Sequence, residues 1–246
     1  MKAFLKLTWT DMKLFSRSGV EMFFTFAFPI LNVLLFGGMY GNQPTPVFNG
    51  RGAADVMIPG YIAALVIGTT AFMSLPLEIS SRRQTGVLRR FRASPLHPLA
   101  VVGSQVVVSL LCAVLSTLLM MACGWLLYRA ALPVNLPIFL LGFILCSLGL
   151  YALTFLLSNF VRSVGSARAL FMALFFPMMF ISGGTLPLQF LPKAMQAISA
   201  WLPLTYAVNL LKAVYLDGAW NWPAAAVLGG LLLVCPLFAV RTFRWE

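Results

Sequence analysis

The chain has 246 residues, of which 61% are hydrophobic and 9% charged, and its formal net charge is +11. Soluble domains carry about 25% charged residues, so this composition excludes a soluble fold and predicts an integral membrane protein. In a soluble protein such a basic balance would indicate a nucleic-acid partner. In a membrane protein the positive-inside rule accounts for it, and we expect no nucleic-acid partner.

Residues 1–18 predict an amphipathic helix. At about 100° per residue, the cations of this segment fall within one narrow arc, opposite an apolar face. They are Lys2, Lys6, Lys13 and Arg17. A helix of this kind lies in the headgroup plane of the bilayer, and a frayed polar tail is the alternative. Asp11 falls among the apolar positions, where it either pairs with a neighbouring cation or extends toward the headgroups.

Long uncharged stretches predict six transmembrane helices, because about 20 apolar residues cross the hydrocarbon core. Helices satisfy their own backbone in lipid, and the alternating pattern of a membrane β-strand is not visible. The predicted spans are 22–40, 57–77, 99–128, 136–159, 168–186 and 222–240. We therefore expect an all-α integral membrane protein with a single domain over residues 1–246.

The distribution of cations orients these spans. With the N-terminus in the cytoplasm, 13 of the 17 Lys and Arg residues lie inside. The positive-inside rule then predicts a multi-pass protein of the cytoplasmic (inner) membrane, with both termini cytoplasmic. The shorter uncharged stretch 194–211 carries Pro203, and a crossing there would move Arg241 and Arg244 outside. A re-entrant or interfacial helical segment on the outer face is the preferred interpretation.

Residues 78–98 form the most densely charged segment, with Arg82, Arg83, Arg89, Arg90 and Arg92. On a helical projection the apolar side chains between these arginines share one arc. This pattern predicts a short amphipathic helix that ends at Ser94-Pro95, since proline disfavours helix in the residue before it. Two functions fit: a basic loop that sets topology, or a docking element whose apolar ridge enters a groove on a soluble partner.

Three stretches, together with the six spans, resemble the permease subunits of the type-2 ABC exporter family, which includes drug and polysaccharide export permeases. Residues 85–95 are similar to the family's Gly-Thr-Leu-Glu-Arg-Leu-x-x-Thr-Pro loop. Residues 176–184, with Pro187, resemble its Pro-x-x-Phe-x-Ser-Gly segment, and residues 202–208 its Pro-Leu-Thr-Tyr stretch. Where the family usually has acidic residues before the loop glycine, this chain has Arg-Arg-Gln at 82–84.

The resemblance implies a coupling helix over 80–95, a smaller cytoplasmic contact at 161–168 and short outer helices over 187–212. It also implies a second permease copy, identical or paralogous, and a separate ATPase subunit that binds ATP and Mg²⁺. The chain has no Gly-x-x-x-x-Gly-Lys-Ser/Thr loop, so we expect it to be no enzyme and to bind no cofactor. The residues expected to couple to the ATPase are Arg83, Gly86, Val87, Leu88, Arg90, Phe91 and Pro95.

In that family spans one, two and five approach the dimer axis. The candidate pathway residues on these spans are Asn32, Thr69, Thr70, Phe180 and Ser182. An uncharged pathway, in a chain with 21 Phe against 6 Trp and 6 Tyr, favours export of a hydrophobic or amphiphilic small molecule, drug or lipid-like. A polysaccharide or glycolipid exporter is the alternative, and an ATP-independent channel or carrier is the alternative from another class.

Other chemistry is not expected from this sequence. The single histidine, His97, and four cysteines at unrelated spacings predict neither a metal site nor a catalytic triad. Carboxylates inside the spans would indicate a proton-coupled carrier. Glu21 and Glu78 instead fall at span ends, where interfacial salt bridges are expected.

Overall fold

The computed structural model describes residues 2–48, 50–85, 98–161 and 163–242. Within these ranges the chain is helical and contains no β-strand. Six helices are long and apolar enough to cross a membrane. The predicted all-α membrane fold is thus confirmed.

The helices of the described residues are numbered α1 to α9 in chain order. They are α1 Lys2–Arg17, α2 Gly19–Tyr40, α3 Ala53–Gln84, α4 Pro98–Tyr128, α5 Leu136–Ser158, α6 Val164–Ile181, α7 Lys193–Ser199, α8 Pro203–Leu216 and α9 Trp222–Thr242. The six candidate spans are α2 to α6 and α9. They coincide with the predicted spans, although α3 continues seven residues beyond its predicted end and α6 stops five residues short of its own.

Helix α3 occupies the middle of the bundle. Every residue from Met57 to Pro76 is buried, and α3 packs against α2, α4, α5, α6 and α8. Thr70 Oγ1 and Tyr151 Oη, on α3 and α5, lie 2.9 Å apart within hydrogen-bond distance. Because α3 has neighbours on all sides, its sequence is apolar around the whole circumference.

Wide π-helical turns interrupt α2 and α3. They are Phe23–Ala27, Ile62–Ile67 and Thr70–Ser74. In α2, Pro29 follows the π turn and has no backbone N–H to donate to the preceding turn. The hydroxyl of Ser116, on α4, donates instead to the carbonyl of Thr25. A side chain from the neighbouring span therefore satisfies the backbone that the proline disrupts.

The turn after α6 explains why this helix ends earlier than predicted. Gly183 has φ of +78°, a conformation that favours glycine. The carbonyl of Gly183 accepts a hydrogen bond from Lys212 Nζ on α8, at 2.7 Å. Gly60 of α3 lies so close to this turn that an added Cβ would meet the Gly184 carbonyl oxygen at 2.5 Å. Small residues thus allow α3 to contact the backbone of the turn.

A sharp corner separates α7 from α8, whose axes differ by 88°. The hydroxyls of Ser199 and Thr205 lie 3.0 Å apart across it, and Tyr206 Oη donates to the carbonyl of Ala200 at 2.8 Å. Pro203 starts α8, at a position where its missing N–H costs nothing. The Pro-Leu-Thr-Tyr stretch therefore builds the corner. Short helices do lie in the 187–212 segment, and their depth in a bilayer stays a prediction.

The replacement Gly60→Ala is expected to lower the free energy of unfolding by about 1–3 kcal/mol, the usual cost of overpacking. The added methyl group would force α3 away from the Gly184 carbonyl. Thermal unfolding in detergent measures the effect. Gly229→Ala on α9 is the matched control, because a Cβ there meets nothing within 4 Å. Equal unfolding midpoints for the two variants would contradict this packing.

Cysteine labelling tests the topology of the corner. In a background without the native cysteines, Gln196→Cys on the exposed surface of α7 should react with a membrane-impermeant thiol reagent added outside. Gly165→Cys at the start of α6 should react only from inside. Labelling of position 196 from the cytoplasmic side would rule out the outer placement of this segment.

Candidate functional site

Asp11 of α1 is only 4% exposed although its helix is amphipathic. Its Oδ1 forms an ion pair with Arg82 Nη2, at the end of α3. Its Oδ2 accepts a hydrogen bond from Ser104 Oγ of α4, at 2.8 Å. Of the two expectations for Asp11, pairing with a cation is the one observed, and its partner lies 71 residues away in the sequence. Three helices meet at this carboxylate.

Arg82 bridges two carboxylates. Besides Asp11, its Nε donates to Glu78 Oε1 one turn earlier on α3, at 2.8 Å. The guanidinium is buried, and a buried charge is costly unless it is paired. The two carboxylates supply that pairing, and Glu78 forms the interfacial salt bridge expected of it.

Arg83 points to a different part of the bundle. Its Nη1 donates to the backbone carbonyls of Ser158 and Val161, at 3.0 and 3.2 Å, and its Nη2 donates to Asn159 Oδ1 at 3.1 Å. These acceptors lie at the C-terminal end of α5, where carbonyls lack helical partners and the helix dipole is negative. Asn159 Nδ2 continues the network to the Ala239 carbonyl of α9, at 3.2 Å.

Gln84 completes the set. Its Oε1 accepts a hydrogen bond from the backbone N–H of Val164, the first residue of α6, at 3.3 Å. Three consecutive side chains, Arg82, Arg83 and Gln84, thus bind α1, α5 and α6 in turn, and Asp11 extends the first of these contacts to Ser104 of α4. We call this cluster the arginine end of the bundle. The Arg-Arg-Gln that departs from the family's acidic pattern is used for contacts within the chain.

The predicted coupling segment begins at this cluster. Residues 80–84 form the last turns of α3 rather than a separate helix. Of the seven predicted coupling residues the structure describes Arg83, whose buried side chain contacts α5. The others lie outside the described residues: Gly86, Val87, Leu88, Arg90, Phe91 and Pro95. Their contact with an ATPase stays a prediction.

The five candidate pathway residues form no hydrogen bonds with one another in the described part of the chain. Thr69, Thr70 and Ser182 are buried, and the hydroxyls of all three bond carbonyls of their own helices. Asn32 is half-buried on α2 and donates to the Phe28 carbonyl at 2.8 Å, while half of Phe180 is exposed on α6. Whether any of them lines a pathway stays a prediction.

Several residues of the arginine end carry no signal in the sequence. Ser104 and Gln105 fall inside a long apolar stretch, as do Ser158 and Asn159 near the end of another. Isolated polar residues of this kind commonly serve helix packing in membranes. Their contacts depend on which helices are neighbours, and a single sequence does not contain that information.

With this geometry established, comparison with known proteins decides the family. A model of the family described as ABC-2 type transporter matches residues 2–216. The chain belongs to this family. The resemblance based on the loop, the Ser-Gly segment and the Pro-Leu-Thr-Tyr stretch is confirmed, and this ABC-2 type transporter chain is a multi-pass transport permease.

Two of the curated relatives carry a name that refers to transport. "Putative transport permease ycf38" of Porphyra purpurea is 25% identical over 202 residues, which cover 81% of this chain and 69% of that protein. The protein of the same name from Pyropia yezoensis is 27% identical over 213 residues, with the same coverage. A shorter similarity, 41% over 64 residues, joins the chain to 8% of "Uncharacterized protein YhgE" of Bacillus subtilis (strain 168). The first two similarities extend over most of this chain.

The replacement Asp11→Ala is expected to cost about 3–5 kcal/mol of unfolding free energy, because it leaves Arg82 buried with one carboxylate fewer. Thermal unfolding in detergent measures the loss. Asp217→Ala is the matched control, because it removes an ion pair at the surface. The side chain of Asp217 is 54% exposed and that of its partner Arg51 is 40% exposed, so the loss should be about 0–1 kcal/mol. The double variant Asp11→Ala, Arg82→Met should recover part of the loss. Equal losses for the two single variants would contradict the buried pair.

Proposed function

We propose that this ABC-2 permease is the membrane subunit of an ATP-driven exporter that moves a hydrophobic or amphiphilic small molecule, drug or lipid-like, out of the cytoplasm across the inner membrane. ATP and Mg²⁺ bind to a separate ATPase subunit. The observation that carries the proposal is the arginine end, because it joins the start of the predicted coupling segment to helices α1, α4, α5 and α6.

The arginine end is suited to transmitting a displacement from the ATPase to the helices of the bundle. A displacement of the chain just beyond Thr85 acts on Arg82, Arg83 and Gln84, and these bind other helices directly. Buried ion pairs hold donor and acceptor in a narrow range of positions, so the helices move with α3 rather than slide past it. Nucleotide-driven movement at one loop would thereby tilt much of the bundle, as alternating access requires.

A second permease copy would complete the pathway. Helices α2 and α6 approach each other at Phe24 and Phe176, whose ring centroids lie 6.5 Å apart. Each keeps large apolar side chains exposed, such as Leu35 on α2 and Phe180 on α6. A pathway between this face and its counterpart would be apolar apart from groups such as Asn32, and that lining favours a hydrophobic or amphiphilic cargo.

The replacement Phe91→Asp is expected to reduce cargo-stimulated ATP hydrolysis by tenfold or more in a reconstituted complex of permease and ATPase. A carboxylate in an apolar docking groove weakens binding by tenfold or more, which corresponds to about 1.4 kcal/mol. Membrane insertion should be unchanged. Phe190→Asp is the matched control, since this exposed phenylalanine lies on the opposite side of the bundle between α6 and α7.

Other outcomes would reject the proposal. Normal coupling in the Phe91→Asp complex would remove the docking role of the loop. Flux of cargo through the purified permease without any ATPase would indicate a channel or carrier. Export of glycans would indicate that the cargo is a polysaccharide or glycolipid. Drug resistance on expression of the permease would instead support the proposed cargo class.

A further inference from the structure

A cavity of about 540 Å³ lies at the arginine end, between α1, the start of α2, the end of α3 and α4. This volume is within the range of small-molecule sites in proteins, about 300–1,000 Å³. Its wall is partly apolar, with Leu7, Leu14 and Phe15 from α1. The cavity is separate from the α2–α6 face proposed for the pathway.

The wall contains buried polar side chains without partners. Gln105 and Ser109 of α4 are each 5% exposed, and Ser74 of α3 is buried as well. Gln105 Nε2 and Arg82 Nη1 are buried and have no hydrogen-bond partner in the described part of the chain, and Ser74 and Ser109 line the same cavity. Gln105 and Ser109 are one helical turn apart, so they share a face. Unpaired buried donors are costly, which favours a ligand that brings acceptor oxygens.

The charges of the wall select the type of ligand. Three carboxylates and one guanidinium line the cavity: Asp11, Glu21, Glu78 and Arg82. Asp11 and Glu78 are both paired with Arg82, whereas Glu21 forms no ion pair among the described residues. The excess of negative charge repels an anionic ligand and attracts an ammonium group.

We propose that this cavity binds the headgroup of a membrane phospholipid that carries a primary amine, with its ammonium at Glu21 and Glu78 and its phosphate and ester oxygens accepting from Gln105, Ser109 and Arg82. The apolar residues of α1 would contact the upper acyl chains, since α1 is amphipathic and is expected at headgroup depth. Neither the cargo nor the ATPase enters this inference.

A lipid series on the unmodified full-length chain tests the proposal directly. Phosphatidylethanolamine, its N-methyl and N,N-dimethyl derivatives, phosphatidylcholine and phosphatidylglycerol, all with the same acyl chains, are titrated into the purified protein in detergent. Native mass spectrometry measures binding. Affinity should fall stepwise with methylation, by about tenfold from the primary to the quaternary amine, as charge-assisted hydrogen bonds are lost. Phosphatidylglycerol should bind at least as weakly as phosphatidylcholine.

Two variants test whether the lipid binds in this cavity. Glu21→Gln and Gln105→Leu should each weaken phosphatidylethanolamine binding by about tenfold or more, through the loss of one hydrogen bond to a charged group. The matched controls are Asp217→Asn and Gln43→Leu, on residues outside the cavity, which should bind as the unmodified chain does.

The opposite results would overturn the proposal. Equal affinity for all five lipids would mean that the cavity does not recognise the primary amine, and unchanged binding in both variants would place the lipid elsewhere. Soluble phosphoethanolamine that competes at lipid concentrations would indicate a free metabolite rather than a membrane lipid. If the variants do not fold, the methylation series still decides the question.

Discussion

The placement of the helices depends on two buried guanidinium groups at one end of α3. A cation in the apolar interior must be paired, so Arg82 requires Asp11 and Arg83 requires the carbonyls at the end of α5. Each requirement brings a distant part of the chain to α3. The position of α1 against α3 and the cavity between these helices both follow from these pairings.

Directional contacts concentrate at the two ends of α3. At one end are the arginines, and at the other Gly60 contacts the turn at Gly184, whose neighbouring carbonyl is bound by Lys212. Between them lies a mostly apolar middle, where side chains pack without a strong preference for one arrangement. In a bilayer the lipid tails are as apolar as the helices, so hydrophobic burial alone does not hold spans together. The polar ends and close packing therefore determine which helices are neighbours.

The sequence predicts the spans well because a charge-free stretch of about 20 apolar residues typically forms a transmembrane helix. The predicted end of α6 is wrong, because apolar residues continue past the left-handed turn at Gly183. Composition alone does not reveal this turn. The site was less predictable. In the sequence Arg82 and Arg83 do not differ from the arginines at 89, 90 and 92, and only their contacts in the fold identify them as buried. Asp11 interrupts the apolar face of α1 in the sequence, but only the fold identifies Arg82 as its partner and Gln105 as an unpartnered side chain.

The π turns of α3 have a consequence for the direction of its side chains. A π turn, Ile62–Ile67 or Thr70–Ser74, inserts roughly one residue relative to α-helical spacing, and each such residue rotates the remainder of the helix by about 100°. Together the two π turns place Arg82 and Arg83 on a side of α3 that they would not occupy in a regular α-helix starting at Ala53. The helical faces before and after the π turns are therefore rotated relative to each other. This rotation allows Gly60 to face Gly184 and Arg82 to face Asp11.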